Sequence, residues 1–391
     1  MIHLILRAPI AYQKTLIRAL SQHYNGAVTV WFHEPSDRDH SFDSGTNGDC
    51  QLRFLSQTGY RQLWRELRAD REAIVVLGSW SSEIAYKTLK IVAGLRVPVF
   101  IWADHPHPRQ RTWIKDRARK IYLRSLSRFV SGFLACGWPT AQHLEALGVN
   151  PQHITQFPYW VDVPSQWSLP GGSSIAGDPL RLAAIGRQVA VKQFEVAIKA
   201  VALTNAKSNR RSVELVLVGD GPERATLEST ANDLRCADAV QFCGWLEGEE
   251  LFRQIESADA LVLTSSFDAY GVVVLEAMAR GRPVFASDGV VAALDRDDGS
   301  GAIMTHPAGH AEFLAQQIEG LAHDRDRLRR ASFAARAIAE QWTPDRAASI
   351  LDGVLVKSKR GAALVRNRRG EAVASLEPAV IPDEASLVAG Q

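Results

Sequence analysis

Short, almost unbroken apolar runs recur along the chain, and longer amphipathic stretches separate them. "IHLILRA", "AVTVWF", "AIVVLGS", "VPVFIWA", "SGFLACG" and "HITQFPY" lie in the first half, and "LRLAAIG", "VELVLVGDG", "VQFCGW", "DALVLTS", "RPVFASD" and "GAIMTH" in the second. Runs without polar alternation mark strands buried on both faces, and the helical stretches between them, such as residues 81–93, 139–147, 194–203, 223–234, 249–257 and 273–279, supply the cover. The fold class is therefore α/β, each half being a Rossmann-like layer sandwich around a parallel sheet.

Length supports two such units, since 391 residues with 46% apolar content can bury two cores. The first domain is expected over 1–163, and "PSQWSLPGGSSIAGDP", residues 164–179, is the Pro/Gly/Ser-rich linker. The second domain runs over 180–341, with a further helix over 342–356. From 357 to 391 the chain is charged, weakly periodic and uncapped, and is expected to be a disordered tail.

Lys+Arg 45 against Asp+Glu 43 is near balance, so global charge gives no reason to expect nucleic acid as a partner. Cys50, Cys136, Cys236 and Cys243 form no CxxC pair and no metal-spaced cluster, which suits reduced thiols. With no cleavage pattern after "MIHLILRAPIAYQ" and no run of the ~20 apolar residues a bilayer span needs, a cytoplasmic location is expected.

Open parallel sheets bind ligands at the carboxyl ends of their strands, and two facing sheets line one cleft. "SSFDAYGVVVLEAMARGRPVFAS" falls at such an end, with a strand before it, a loop carrying Asp268, and a helix carrying Glu276. Gly271 lets the backbone approach a ligand, and the amides of Val272 and Val273 open the helix, where the dipole favours an anion such as a phosphate. Glu276, about one turn in, is placed for a ribose diol, and Asp268 for the sugar end of a nucleotide. Arg187 and Lys192 follow another strand end and suit a diphosphate. Gly219 and Gly221 in "VGDGPE" fit either phosphate binding or a tight turn before Pro222.

Asp268 and Glu276 with seven residues between them resemble the paired-carboxylate signature of retaining glycosyltransferases of the family 4 type (glycosyl transferases group 1). "AIGRQVAVKQFEVAIKA", "LVLVGDGPER" and "VQFCGWLEGEELFRQIESAD", which carries Gly244 on the nucleobase side, resemble the other family segments in their order. The resemblance implies the GT-B fold, with two domains facing across a cleft and a C-terminal helix returning to the first. It also implies retaining transfer from a UDP- or GDP-linked sugar to a glycan or polyprenyl-linked glycan. No cofactor is expected beyond this co-substrate. Departure of the nucleoside diphosphate would be assisted by Arg187, Lys192 and the helix start without a metal, and "DRDD" at Asp295–Asp298 is read as a surface turn. The family usually has Glu where Asp268 stands, which shortens the reach to the sugar by one methylene. The opening turn "RAPIAYQK" has Arg7 and Pro9 where members frequently carry a glycine pair.

In "IWADHPHPRQR", Asp104 and His105 are both candidates for the catalytic position at which the family often has His, and one residue of register decides which faces the cleft. Residues 108–130 carry eight basic side chains and one acid, interleaved with Trp113, Ile114, Ile121, Tyr122, Leu126 and Phe129. Such a helix either lies on an anionic membrane surface or packs on its own domain with a solvated basic face. A nucleotide-sugar epimerase and an inactive nucleotide-sugar-binding scaffold are the alternatives. The first lacks an added acid/base cluster in the second half, and the second is opposed by the set Arg187, Lys192 and Glu276.

Overall fold

The structure is a computed structural model describing residues 1–10, 13–33, 50–80, 82–107, 113–170, 178–207 and 211–356. The tail reading over 357–391, part of the linker and the start of the basic stretch at 108–112 lie outside these residues. The first lobe runs β1 (Ile2–Leu6), α1 (Gln13–His23), β2 (Val28–Phe32), β3 (Gln51–Phe54), α2 (Leu55–Ala69), β4 (Ile74–Leu77), α3 (Glu83–Leu95), β5 (Val99–Ala103), α4 (Trp113–Leu126), β6 (Gly132–Ala135), α5 (Trp138–Ala146) and β7 (Ile154–Gln156). Its strands form a parallel sheet in the order β3-β2-β1-β4-β5-β6-β7.

The second lobe runs β8 (Leu180–Ile185), α6 (Phe194–Ala206), β9 (Val213–Val218), α7 (Arg224–Asp233), β10 (Val240–Gly244), α8 (Gly248–Ser257), β11 (Ala260–Leu263), α9 (Val272–Ala279), β12 (Val284–Ser287), α10 (Val291–Arg296), β13 (Ile303–His306), α11 (Ala311–His323) and α12 (Arg325–Glu340). Its parallel sheet has the order β10-β9-β8-β11-β12-β13. In both sheets the order turns back beside the first strand, β1 or β8, and that reversal leaves a crevice at the carboxyl edge.

Alternate residues of each strand feed different cores, as the two-residue period requires. Leu4, Leu6, Val30, Val76 and Trp102 face one side of the first sheet, whereas Ile5, Trp31, Val75, Leu77 and Ile101 face the other. The first of these cores does not stop at the lobe boundary. It continues through Trp160 and Val161 to Leu275 and Met278 of α9 and Ala335 of α12.

A last helix, α13 (Pro344–Leu355), crosses back and packs on α1, as the GT-B expectation requires. Its buried Asp352 accepts from Tyr24 Oη at 2.7 Å and lies 3.0 Å from His23 Nε2, so the end of the described chain is pinned to its beginning. β3 has no counterpart among the strands expected from the sequence. It is a half-exposed edge strand, "QLRF", too short and too polar to register as a buried apolar run.

"DRDD" is not a surface turn throughout. Asp295 and Arg296 close α10 with side chains 3% and 1% exposed, and only Asp297 and Asp298 reach solvent. A charged dipeptide next to "VVAAL" reads as solvated, but here the two charges neutralise each other inside the junction between lobes.

Candidate active site

Between the lobes lies a cavity of about 1020 Å³, walled by strand ends and helix starts from both. The first lobe contributes Lys14, Thr15 and Arg18 from α1, Asp104 after β5, and Tyr159 to Asp162 from the crossing segment. From the second come Gly186, Arg187 and Lys192 after β8, Gly219 after β9, Trp245 to Gly248 after β10, and Asp268 to Val273, Glu276 and Arg280 on and before α9. Eight of the ten catalytic and donor-binding candidates thus line this one cavity: Asp104 from the first lobe, and Arg187, Lys192, Asp268, Gly271, Val272, Val273 and Glu276 from the second.

The two others are displaced by one step. His105 turns from the cavity, its ring 5.6 Å from that of His143 and 6.3 Å from that of Phe267, so the β5 register presents Asp104. Gly244 ends β10 behind the wall, where its carbonyl accepts from Gly219 N at 2.7 Å, and its successors Trp245 to Gly248 do the lining. Gly219 itself answers to packing. A Cβ there would fall 2.0 Å from the Gly186 carbonyl oxygen, so this turn brings two strand ends together.

Gly271 precedes α9 with φ of 90°, in the left-handed region, and this turn aims the helix start into the cavity. A methyl there would also meet Val290 Cγ1 at 2.8 Å. Gly271→Ala is therefore expected to cost about 1–2 kcal/mol by denaturant unfolding and to weaken binding of a nucleoside diphosphate in titration calorimetry. Unchanged affinity would detach the helix start from ligand binding.

Lys192 Nζ lies 2.5 Å from Asp268 Oδ2. An ammonium has three donors, so it can hold Asp268 and still address phosphate oxygens. Asp268 is fixed twice more, by its own amide to Gly289 O at 2.8 Å and by its Oδ1 accepting from Tyr270 N at 3.4 Å. The shortened carboxylate is a rigid part of the wall.

Glu276 lies in the first turns of α9, and burial raises its carboxyl above the usual range while nearby Arg280 opposes the shift. The Arg280 guanidinium is lowered by the same burial, stacks 3.7 Å over Phe252 and lies 3.4 Å from Glu256. Asp104 touches the solvent of the cleft yet is closely surrounded by protein, and that surrounding raises its carboxyl against hydrogen bonds from Cys136 and Tyr159. Tyr159 Oη donates to Asp104 at 2.9 Å.

The sequence did not single out Tyr159, Tyr270, Arg280 or the α1 side chains Lys14, Thr15 and Arg18. Tyr159 packs edge-on against Tyr270 at 5.3 Å, linking the loop that bears Asp268 to Asp104 across the cleft. Arg18 Nη2 and Thr15 Oγ1 both donate to Asp162 Oδ2, at 2.7 and 3.0 Å. Only the quoted "RAPIAYQK" stretch pointed to this side, and it did so through Arg7 and Pro9 and not through the side chains of α1.

Two Rossmann-like lobes enclosing a cavity at their strand ends, with a C-terminal helix returning to the first, define the GT-B fold. The chain's fold agrees with that of solved structures: Anabaena Alr3699/HepE in complex with UDP superposes with a TM-score of 0.74 over 91% of this chain and 100% of that one, at 16% identity. The lipopolysaccharide outer core galactosyltransferase WaaB gives 0.69 over 90% and 98%, at 15% identity. Residues 165–338 match the family described as Glycosyl transferases group 1, and this segment is a domain of that family. Among curated proteins, the lipopolysaccharide core biosynthesis glycosyltransferase LpsE of Rhizobium meliloti (strain 1021) is 34% identical over 140 residues, 36% of this chain and 38% of that protein. Alpha-D-kanosaminyltransferase of Streptomyces kanamyceticus is 31% identical over 173 residues, 44% of each. The matched region spans about two fifths of the length of these relatives.

Proposed function

We propose that the protein is a retaining glycosyltransferase that moves a sugar from a UDP- or GDP-linked donor to a glycan or lipid-linked glycan. The observation that carries this reading is the meeting of Arg187, Lys192, the start of α9 and Glu276 in one cavity wall. Cations and a helix start lining one cavity suit a leaving pyrophosphate, whose charge grows as the glycosidic bond breaks. In this reading Arg187 and Lys192 take that charge in place of a metal ion, and Glu276 binds the ribose diol. Asp268, held by Lys192, positions the sugar hydroxyls. The acceptor hydroxyl enters from the first lobe and attacks on the face the diphosphate leaves, so anomeric configuration is kept. Asp104, supported by Tyr159, stands on that side. Closure of the lobes excludes water and limits donor hydrolysis.

Purified protein incubated with UDP- and GDP-sugars in turn is expected to release nucleoside diphosphate slowly from one donor class without acceptor, and the Lys192→Ala variant roughly 10²–10³-fold more slowly. Anomeric retention is read by NMR of the product. Binding of a donor with no hydrolysis of any favours the inactive nucleotide-sugar-binding scaffold, and absence of both hydrolysis and binding for every donor overturns both readings.

A further inference from the structure

Glu276 of α9 is followed four residues later by Arg280, which caps the helix, and both line the cavity. An acid one turn before a cation is the order that favours an ion pair on a helix surface. That pair does not form. Among the described residues the Glu276 carboxylate has no hydrogen bond and no ion pair, and Arg280 Nη1 donates instead to the Glu276 carbonyl oxygen at 3.2 Å. The cause lies in α8. Its Phe252 ring takes the guanidinium on its face at 3.7 Å, and its Glu256 Oε1 stands 3.4 Å from Arg280 Nε. This last contact is not aligned as a hydrogen bond, so Nε is buried without an acceptor. Arg280 is only 8% exposed, and the packing that buries it also holds it off Glu276.

A carboxylate closely surrounded by protein takes up a proton unless a positive charge stands near it, yet an arginine in contact covers the oxygens a ligand would use. Glu276 meets neither fate. Arg280 acts on it through space and opposes the effect of burial, while the carboxylate keeps its acceptor sites. The other charges around the pair are engaged elsewhere: Lys192 holds Asp268, and Arg336 of α12 donates to the Ala279 and Pro164 carbonyls. Glu249 of α8 and Asp162 of the crossing segment attract Arg280 more weakly than Glu256 does, and on the same side of the balance. We propose that Arg280 is a positioning residue for ribose binding, which α8 holds where it supports the charge of Glu276 without covering the oxygens that receive the diol. This rests on the reading of Glu276 as the ribose residue, but its electrostatic half is measured with no ligand present.

The test places Glu276→Gln in the full chain in four backgrounds, wild type, Arg280→Met, Arg280→Gln and Glu256→Gln, and follows thermal melts from acid to neutral pH. Because burial raises the Glu276 carboxyl, its ionisation lowers stability as pH rises from the unfolded pKa through the folded one. The gap in melting temperature between the Gln and Glu forms therefore opens over that window and stays open above it. Loss of Arg280 extends the window upward, so with either neutral replacement the gap at neutral pH is expected to widen by about 1–2 °C, and Arg280→Lys to bring it back toward wild type. Glu256→Gln frees the guanidinium to reach Glu276, so there the gap is expected to narrow. In the same variant, titration calorimetry with UDP or GDP, whichever the wild type binds, is expected to read roughly tenfold lower affinity. A gap indifferent to Arg280 overturns the proposal, as does a Glu256→Gln chain with wild-type gap and affinity. Wild-type protein that binds neither nucleotide, with a gap that responds as expected, overturns the ribose reading and upholds the coupling of Arg280 to Glu276.

Discussion

Replacing Glu276 by Gln is expected to lower sugar transfer by roughly 10²–10³-fold and, at neutral pH, to leave the melting temperature unchanged or raise it. Both halves of this expectation come from one property. Glu276 lies in the cavity wall, where burial lifts its carboxyl above the ordinary range and Arg280 only opposes the shift. Between the unfolded and the raised folded pKa the folded chain binds more protons than the unfolded one, so stability falls as pH rises through that window and the loss persists above it. A neutral isostere carries no such cost. Thermal melts of wild type and variant should therefore diverge at neutral pH in favour of Gln and converge in acid. The proposed function requires the opposite form, because in that reading an ionised carboxylate accepts from both hydroxyls of a ribose diol and a carboxamide offers one oxygen. A variant with wild-type transfer rate would remove Glu276 from the site, and one that melts lower at neutral pH would show that its charge is stabilised by partners.

What the sequence made legible was local. The strands of both sheets other than β3 stand out because a parallel sheet needs apolar residues on both faces, and the loop from Asp268 to Glu276 is visible because strand end, turn and helix start are contiguous. Where one residue of register matters, apolar runs are silent: "VFIWADH" does not say whether Asp104 or His105 faces the cavity, and the alternation that sends Trp102 to one core and Ala103 to the other continues to Asp104 on the cavity side. Contacts between distant segments were not legible at all. Tyr159 reaches Asp104 across 55 positions and Trp138 meets Asp295 across 157, and neither pair has a spacing signature. The outward turn of Ile114 and Ile121 could not be read either, since the same composition serves a helix packed through those side chains.

The longest of these contacts carries the largest stability effect. Asp295 Oδ1 accepts from the amide of Trp138, the first residue of α5 in the other lobe, at 2.8 Å. Its Oδ2 accepts from Tyr270 Oη at 3.1 Å and lies 3.5 Å from Arg296 Nη2. The same Arg296 nitrogen donates to Tyr270 Oη at 3.1 Å, while its guanidinium lies 3.5 Å over the Trp342 ring. Asp295 thus neutralises a buried arginine and caps a helix of the opposite lobe. It also fixes Tyr270, whose neighbour Gly271 opens α9 and whose ring supports Tyr159 beside Asp104. Asp295→Ala is expected to cost roughly 3–5 kcal/mol in denaturant unfolding, because it leaves the buried Arg296 charge unpaired and also removes the acceptor from the exposed start of α5. Tyr270→Phe, which removes one hydroxyl, is expected to cost about 1–2 kcal/mol. Since the two groups share one network, the double variant should fall short of the sum by about 0.5–3 kcal/mol. Asp295→Asn keeps an acceptor for the Trp138 amide and should recover part of the loss, separating the helix cap from the charge. Small-angle scattering of Asp295→Ala should show a larger radius of gyration than wild type, as the lobes lose a bond that spans them. Additive energies with an unchanged radius would reduce Asp295 to a local structural residue and leave closure of the cleft to the apolar core that runs through Trp160 and Leu275.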